Sequence, residues 1–514
     1  MTENPVLRLA LAIGFVVAIS AAAAQDAGPG HGSNGDQNKA GAGERQEISL
    51  GVLRLLPADS VTQHSIDTGH GRLAYSATAG TLPFYNRSGE RTASVFYTAY
   101  VAKSAATNRP LTFVFNGGPG AASAFLHLGL AGPRFLDLGP GGRDAAHAEL
   151  RDNPDTWLRF TDLVFIDPIG TGWSRTLKPE DTKSFWGVRS DAEAMAKVVA
   201  LYVDHNNRAG SPKYLLGESY GGFRAAKVAG ALKREQGIPI AGIVMLSPLL
   251  NGSFTFGDNG NALRAALQLP SLAAAELERR KAFSRDALEA AGKFAMTDYL
   301  VTLAGAPPQG EAAQTFYARV AKLTGISVDV VTQARGFVAN AYVKSLRASD
   351  GKIVSPYDAA FAIDDPYPDQ SSARASDPIL DGISRAYGGA MAGYARNELG
   401  FKTEMTYVLL AQDAARQWDW EGNRALIDAT DDLRVLLAFD PSFHLLIAHG
   451  YSDMVTPYAM TRYILDHLPP SGTPGQAQLK LYRGGHMIYL DAQSRKAFSD
   501  DAAQFYRAAA KAPR

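Results

Sequence analysis

The sequence predicts an α/β fold: a central, mostly parallel sheet covered on both faces by helices, with a helical insertion. Three observations carry this expectation. Short apolar runs rich in β-branched and aromatic residues recur, as LTFVFN (111–116), TDLVFID (161–167), KYLLGE (213–218), IAGIVMLSP (240–248), FHLLIAHG (443–450) and QLKLYRG (478–484). Helix-like stretches separate several of them, among them RSDAEAMAKVVALYVDHNN (189–207) and GGFRAAKVAGALKREQG (221–237). Continuous apolar strands alternating with helices indicate a parallel sheet without a solvated face. The third observation is an interruption. Between about Phe254 and Asp431 the strand signal nearly vanishes, and alanine-rich amphipathic segments take its place.

From the N-terminus onward, MTENPVLRLALAIGFVVAISAAAAQDAG contains one basic residue, Arg8, then an apolar run from Leu9 to about Ala24 closed by small residues. This matches a secretory signal (1–24) with an A-x-A-like cleavage site. The rival reading is an uncleaved anchor, but the run is shorter than the ~20 residues a spanning helix needs. Residues 25–46 are glycine-rich and polar and read as a disordered lead-in. Period-two alternation in GRLAYSATAG (71–80) and ASVFYTAYVA (93–102) predicts antiparallel hairpins at the entry to the sheet. The first part of the α/β core is then expected over 47–253, a helical cap over 254–431, and the second part of the core over 432–514. Within the cap, SLAAAELERRKAFSRDALEAAGKFAMTDYLVTLA (271–304), EAAQTFYARVAKLTG (311–325) and VDVVTQARGFVAN (328–340) read as helices, and DDPYPDQSSARASDP (364–378) as a loop. Trp418 and Trp420 in QWDWEGN either line a cleft or anchor the cap to the core, packing being the preferred reading.

The 514 residues include 51 Lys plus Arg and 51 Asp plus Glu, so the formal net charge is zero and nothing in it favours nucleic acid or an anionic membrane. There is no cysteine, which removes disulfides, thiol nucleophiles and cysteine-ligated zinc. No P-loop, dinucleotide fingerprint or H-E-x-x-H motif is present, and no cofactor or metal is expected.

The chemistry is expected at YLLGESYGGF (214–223). Gly217-Glu218-Ser219-Tyr220-Gly221 is a G-x-S-x-G pentapeptide between an apolar strand and an amphipathic helix. That is the context of a nucleophile elbow, in which a serine is held out on a strained strand-to-helix turn. The plain alternative is a tight turn with a serine N-cap. A serine nucleophile needs a base and a group that orients the base, expected here in the chain order Ser, Asp or Glu, His. Four histidines follow Ser219: His444, His449, His467 and His486. His486 lies just after a predicted strand, where catalytic groups of open α/β sheets collect, and is the preferred base. Asp453, on the loop after FHLLIAHG, is the expected orienting acid. His449 reads as a packed strand-end histidine. The oxyanion hole is expected from the amide of Tyr220, after the nucleophile, and from Gly118 in FVFNGGPGAAS (113–123), whose glycines let backbone approach substrate.

With these residues in place the sequence resembles a known family. FNGGPGAAS, DLVFIDPIGTGWSR, GESYGG, AHGYSDMVTP and GGHMIYLDAQ occur in the order found in the serine carboxypeptidases, and together reach from about residue 111 to the end. The resemblance implies an α/β-hydrolase fold with a helical cap, and Ser219, Asp453 and His486 as the triad. It implies Gly118 and Tyr220 as oxyanion donors, and Asn116, Gly117 and Glu218 as ligands of a substrate's terminal carboxylate. Departures are specific. Val114 stands where a tryptophan is usual, Ala121 where a cysteine is, and Tyr489 where a proline follows the histidine. A second carboxylate-binding glutamate is missing, its nearest counterpart being His127.

A carboxylate beside the nucleophile would repel a peptide's own carboxylate if both were charged. A protonated Glu218 would instead donate a hydrogen bond to it. Binding is then expected to be acid-favoured and to weaken as pH rises through the pKa of Glu218, while His486 must be neutral to act as base. A cationic His127 would add to the acid preference.

The expected function is an exported serine-type carboxypeptidase, periplasmic or extracellular, acting through an acyl-enzyme on peptides with a free C-terminal carboxylate. An esterase or acyltransferase on the same triad is the alternative, and a binding module on an inactive hydrolase fold the non-enzymatic one. Neither nucleic acid nor stable membrane association after signal cleavage is expected.

Overall fold

Nine strands order the molecule. In the computed structural model, which describes residues 51–511 apart from 105–107, 140–141, 371–376 and 470–474, they are β1 (Ser60–Thr68), β2 (Gly71–Tyr85), β3 (Arg91–Ala102), β4 (Leu111–Phe115), β5 (Asp162–Ile166), β6 (Lys213–Glu218), β7 (Gly242–Leu246), β8 (His444–Gly450) and β9 (Ala477–Tyr482). The expected signal sequence, the lead-in and part of the 364–378 loop lie outside the described residues. The strands form one sheet in the order β1-β2-β3-β5-β4-β6-β7-β8-β9, with the two-residue strand Arg175–Thr176 paired to β3. β1, β2, β3 and β5 pair antiparallel, and every contact from β5 through β4 to β9 is parallel.

The residue pattern explains this division. Every residue of β4, β5, β6 and β7 is buried, as parallel strands with two covered faces require. Successive residues go to opposite sides. Leu215 and Met245 join one apolar cluster with Met195, Val199 and Phe223, whereas Leu216 and Val244 join another with Trp157, Phe498 and Tyr506. The first cluster is closed by α1 (Val188–His205) and α2 (Tyr220–Ala231). β1, by contrast, alternates between exposed and partly buried residues along most of its length, as an edge strand with one wet face does.

The insertion lies between β7 and β8, which pair directly in the sheet. It contributes α3 (Ala262–Arg279), α4 (Arg285–Phe294), α5 (Gly310–Thr324), α6 (Ala386–Asn397) and α7 (Thr430–Phe439). Two kinds of packing occur within it. Leu269, Leu272, Phe294, Phe316 and Val320 form a cluster of their own. Tyr387, Met391 and Tyr394 of α6 instead enter one main sheet cluster, and Trp418 and Leu433 the other. The segment also holds a hairpin, Lys352–Ser355 with Asp358–Asp364, where no strand was expected. These strands are four and seven residues long and the pairing carries a register shift, so the period-two signal is too short to stand out. After β8 come α8 (Tyr458–Asp466) and, after β9, α9 (Ala492–Lys511). Among the described residues no helix is long and apolar enough to cross a membrane. The strand order, with nucleophile-type turn, crossover helices and an insertion before the penultimate strand, is that of the α/β-hydrolase fold.

Candidate active site

The turn after β6 is strained in the way an elbow requires. Ser219 has φ 60° and ψ −126°, while Glu218 ends the strand and Tyr220 starts α2. A serine in such a region costs on the order of 1–3 kcal/mol and persists only when its surroundings hold it. They do: Ser219 N donates to Leu246 O at 2.9 Å, and Ser219 O accepts from Gly222 N at 2.9 Å and Leu249 N at 3.1 Å. The flanking glycines are needed for space. A Cβ on Gly217 would lie 2.0 Å from Gly221 O, and one on Gly221 would lie 2.6 Å from Phe115 O.

The loop after β4 meets this turn. A Cβ on Gly117 would lie 2.6 Å from both Glu218 O and Tyr220 N, so only glycine lets the two loops touch. Gly118 follows at φ 102° and borders the same cavity as Ser219. Tyr220 opens α2, so its N–H is among the first-turn amides that have no acceptor within the helix.

Asp453 and His486 arrive on the loops after β8 and β9. His486 Nδ1 and Asp453 Oδ2 are 2.9 Å apart, with both residues buried. The other carboxylate oxygen, Oδ1, accepts from the amides of Val455 at 2.8 Å and Thr456 at 3.0 Å, and Thr456 Oγ1 donates to Oδ2 at 2.8 Å. Burial opposes the charge on Asp453, yet His486 and these donors hold its pKa below the usual value. Burial likewise disfavours the His486 imidazolium, but the Asp453 carboxylate outweighs it and raises the pKa above that of free histidine. The imidazole is also fixed through its backbone: His486 N donates to Tyr357 O at 2.6 Å and Ser247 Oγ to His486 O at 2.8 Å. The Tyr357 ring stands edge-on to the imidazole, with centroids 5.3 Å apart.

Ser219, His486, Gly118, Asn116, Gly117 and Glu218 line one cavity of about 270 Å³. Its remaining wall is largely apolar, with Phe125, Leu249, Phe256, Leu380, Leu410 and Met487. Among the described residues no lysine or arginine lines it. A larger cavity of about 790 Å³ lies between α3, α4, α8 and β9. It holds none of these groups, so convergent chemistry rather than volume locates the site.

Glu218 is buried and points its carboxyl at Asn116 and Tyr489. Asn116 Nδ2 donates to Oε2 at 2.5 Å, and Tyr489 Oη lies 3.1 and 3.2 Å from the two oxygens. Burial pushes the Glu218 pKa up to about 7, against the opposing pull of His486 and these two donors. Asn116 is itself oriented: its Oδ1 accepts from Leu126 N at 3.0 Å, and its backbone carbonyl accepts from Arg224, which is paired with Asp191.

His127 is not part of this arrangement, which corrects the expectation that it faces a bound carboxylate. It is buried in the main core, stacked on Phe165 with centroids 4.1 Å apart, and its Nε2 is 2.6 Å from Tyr100 Oη. Burial lowers its pKa to about 3, so it is neutral where a cation was required. The chain turns there: the short helix Ala124–Leu126 widens into a π-turn at His127–Ala131, and His127 faces the sheet. The other three histidines after Ser219 have structural partners. His449 Nε2 is 2.8 Å from Thr461 Oγ1, while His444 and His467 bond backbone carbonyls near the surface. Trp418 and Trp420 pack edge-on against the Tyr220 ring rather than lining the cavity.

Two site residues escape sequence reasoning, Tyr357 and Tyr489. Tyr357 sits in the unforeseen hairpin. Tyr489 carries a signal, because it stands where a proline is usual, but sequence alone does not aim its hydroxyl at Glu218. Among the described residues no cluster of His, Asp or Glu has the arrangement of a metal site.

Comparisons with known proteins bear on this site. A family model described as serine carboxypeptidase matches residues 76–253, which include Asn116, Glu218 and Ser219 but not Asp453 or His486. Serine carboxypeptidase-like 41 of Arabidopsis thaliana is 32% identical over 165 residues, covering 30% of this chain and 34% of that protein. Pheromone-processing carboxypeptidase KEX1 of Yarrowia lipolytica is 28% identical over 156 residues, covering 30% of this chain and 24% of that one. The chain thus matches about a third or less of the length of these relatives. Among solved structures, a proline iminopeptidase of Mycobacterium smegmatis superposes with TM-score 0.39 and 14% identity over 84% of this chain and 98% of that one.

Proposed function

We propose, from the match of residues 76–253 to a serine carboxypeptidase family model, that the protein is an exported serine-type carboxypeptidase. Ser219 Oγ attacks the last peptide carbonyl while His486 accepts its proton, and Asp453 stabilises the resulting imidazolium. The amides of Gly118 and Tyr220 receive the oxyanion. His486 returns the proton to the leaving amine, and water then releases the shortened peptide from the acyl-enzyme. Asn116, Gly117 and Glu218 hold the substrate's terminal carboxylate. Residues 1–24 direct export in this proposal, and the insertion of 254–431 shapes the cleft.

The observation that carries the reading is Glu218: a carboxyl group next to the nucleophile, buried in the cavity wall, with its pKa raised to about 7. An uncharged acid at that place is a donor to a terminal carboxylate and serves no step at the scissile carbonyl. One observation favours a second reading. With no lysine or arginine lining the cavity among the described residues, an anionic substrate is disfavoured once Glu218 ionises, and a neutral ester or acyl donor is then the better-matched ligand.

A comparison of kcat/KM for an N-blocked dipeptide and for its C-terminal amide, from pH 5 to 8, separates the two. A carboxypeptidase prefers the free acid, and the preference fades as pH rises through about 7. Equal rates on both substrates at every pH would favour the esterase or acyltransferase.

A further inference from the structure

The resemblance assigns no role to Tyr489. It lies three residues after His486, in the short 3₁₀ turn Ile488–Leu490, and is buried yet borders the cavity. Its ring position is fixed from behind. A Cβ on Gly129 would lie 2.6 Å from the Tyr489 ring and 3.2 Å from Tyr387 Oη, so the π-turn leaves a glycine-sized gap that the tyrosine ring fills. That fixed ring aims one hydroxyl at both oxygens of Glu218, at 3.1 and 3.2 Å.

The geometry points to Tyr489 as a specificity-determining residue whose hydroxyl, together with the Asn116 amide and a protonated Glu218, recognises the terminal carboxylate of a peptide. This rests on the carboxypeptidase reading above. Donor supply favours a carboxylate ligand. An ionised Glu218 accepts from two donors, Asn116 Nδ2 and Tyr489 Oη. Once protonated, Glu218 becomes a donor itself and needs fewer, so a hydroxyl or amide proton is released at the cavity wall together with the new carboxyl O–H. A carboxylate accepts all of them, and an amide or ester terminus matches fewer. Among the described residues no lysine or arginine lines the cavity, and in this proposal these neutral donors provide the recognition. The titratable groups facing Glu218 are His486, Asp453, Tyr489, Tyr357 and Tyr387. Burial raises the pKa of Tyr489 well above that of free tyrosine, so it keeps its proton across the working range.

The test is Tyr489→Phe, which removes only the hydroxyl, with rates normalised to the Ser219 sites that a fluorophosphonate labels in the folded enzyme. Losing a hydrogen bond to a charged group predicts a fall of about 10- to 100-fold in kcat/KM for the free-acid dipeptide, mostly through KM. The C-terminal amide should lose less than about threefold, as one contact it does not make is removed. Because the hydroxyl favours ionised Glu218, its removal also moves the upper pH limb of free-acid hydrolysis to higher pH. Gly129→Ala is the second variant, since its methyl displaces the ring and leaves the hydroxyl in the chain. It should give the same selective loss on the free acid. Equal losses on both substrates, or an unchanged free-acid preference in both variants, would overturn the role of Tyr489. A wild-type enzyme without any free-acid preference would instead overturn the carboxypeptidase reading, and this inference with it.

Discussion

Glu218 and His127 are two buried titratable side chains, both placed by the sequence at the same carboxylate-binding task, and their surroundings differ in kind. Around Glu218 the chain supplies polar donors, Asn116 and Tyr489, and a cavity. Around His127 it supplies aromatic faces, Phe165, Tyr100 and Tyr394, and His127 does not line the cavity that holds Ser219. Burial shifts both pKa values strongly, up to about 7 for Glu218 and down to about 3 for His127. A perturbed pKa therefore marks burial in both cases; in the proposed function it marks a working group only where the side chain opens on a cavity beside Ser219.

Predictions that break or sharpen this contrast begin with the machinery that Glu218 would serve. Ser219→Ala should lower kcat on the order of 10⁴- to 10⁶-fold, and Asp453→Asn about 10⁴-fold by losing the His486 tautomer. Fluorophosphonate labelling should disappear in the first variant and slow in the second. Normal turnover in either would remove the reason to place chemistry in this cavity at all.

Next in size is Glu218→Gln. In the wild type, free-acid hydrolysis should fall as pH rises through about 7, because Glu218 loses its proton, and also fall at low pH as His486 gains one. The glutamine keeps a donor at all pH values. Its KM for the free acid should lose the alkaline rise while the acid limb, set by His486, remains. An alkaline limb still present in the KM of the variant would detach Glu218 from substrate binding. His127→Phe is the counterpart and should change kcat/KM by less than about threefold, because no substrate contact is removed. A tenfold loss there, in a variant that is fully folded at the assay temperature, would return His127 to the site.

Much of this was legible in the sequence, for identifiable reasons. β4 to β8 are short runs of mostly buried residues, and a strand buried on both faces prints as an unbroken apolar run. Ser219 and Asp453 each follow such a run, and His486 follows the half-buried β9, so the rule that functional groups gather at strand ends points to all three. The structure brings Asp453 to 2.9 Å from His486, and Ser219 and His486 to one cavity. His127 was misread because sequence proximity to the NGGPG loop does not reveal which face a turn presents, and a π-turn begins at that residue. Tyr489 stands out in the sequence only as a departure and Tyr357 not at all, because their aim depends on packing between distant segments, Gly129 against Tyr489 and the 352–364 hairpin against His486. The hairpin is too short to declare itself. α6 reads as part of the cap, yet its tyrosines belong to the sheet's core, because amphipathicity tells that a face is buried and not against what.

Stability separates the two residues by sign. Glu218 holds its proton to about pH 7 in the folded chain and to about 4.5 as a free side chain. Its contribution is complete below 4.5 and is lost as pH rises to 7, by about 3 kcal/mol at most. His127 titrates at about 3 in the folded chain against 6.5 when free, so the unfolded chain binds the extra proton and stability is lost as pH falls from 6.5 toward 3. Between pH 4.5 and 6.5 the two slopes oppose each other. Urea melts across pH should therefore show Glu218→Gln flattening the loss between 4.5 and 7, and His127→Phe flattening the loss below 6.5. His127→Phe should also lower stability by about 1 kcal/mol at pH 7, since Tyr100 then keeps only its hydrogen bond to Tyr394. If both variants flatten the same limb, the two burials are not the opposite cases that their neighbours make them.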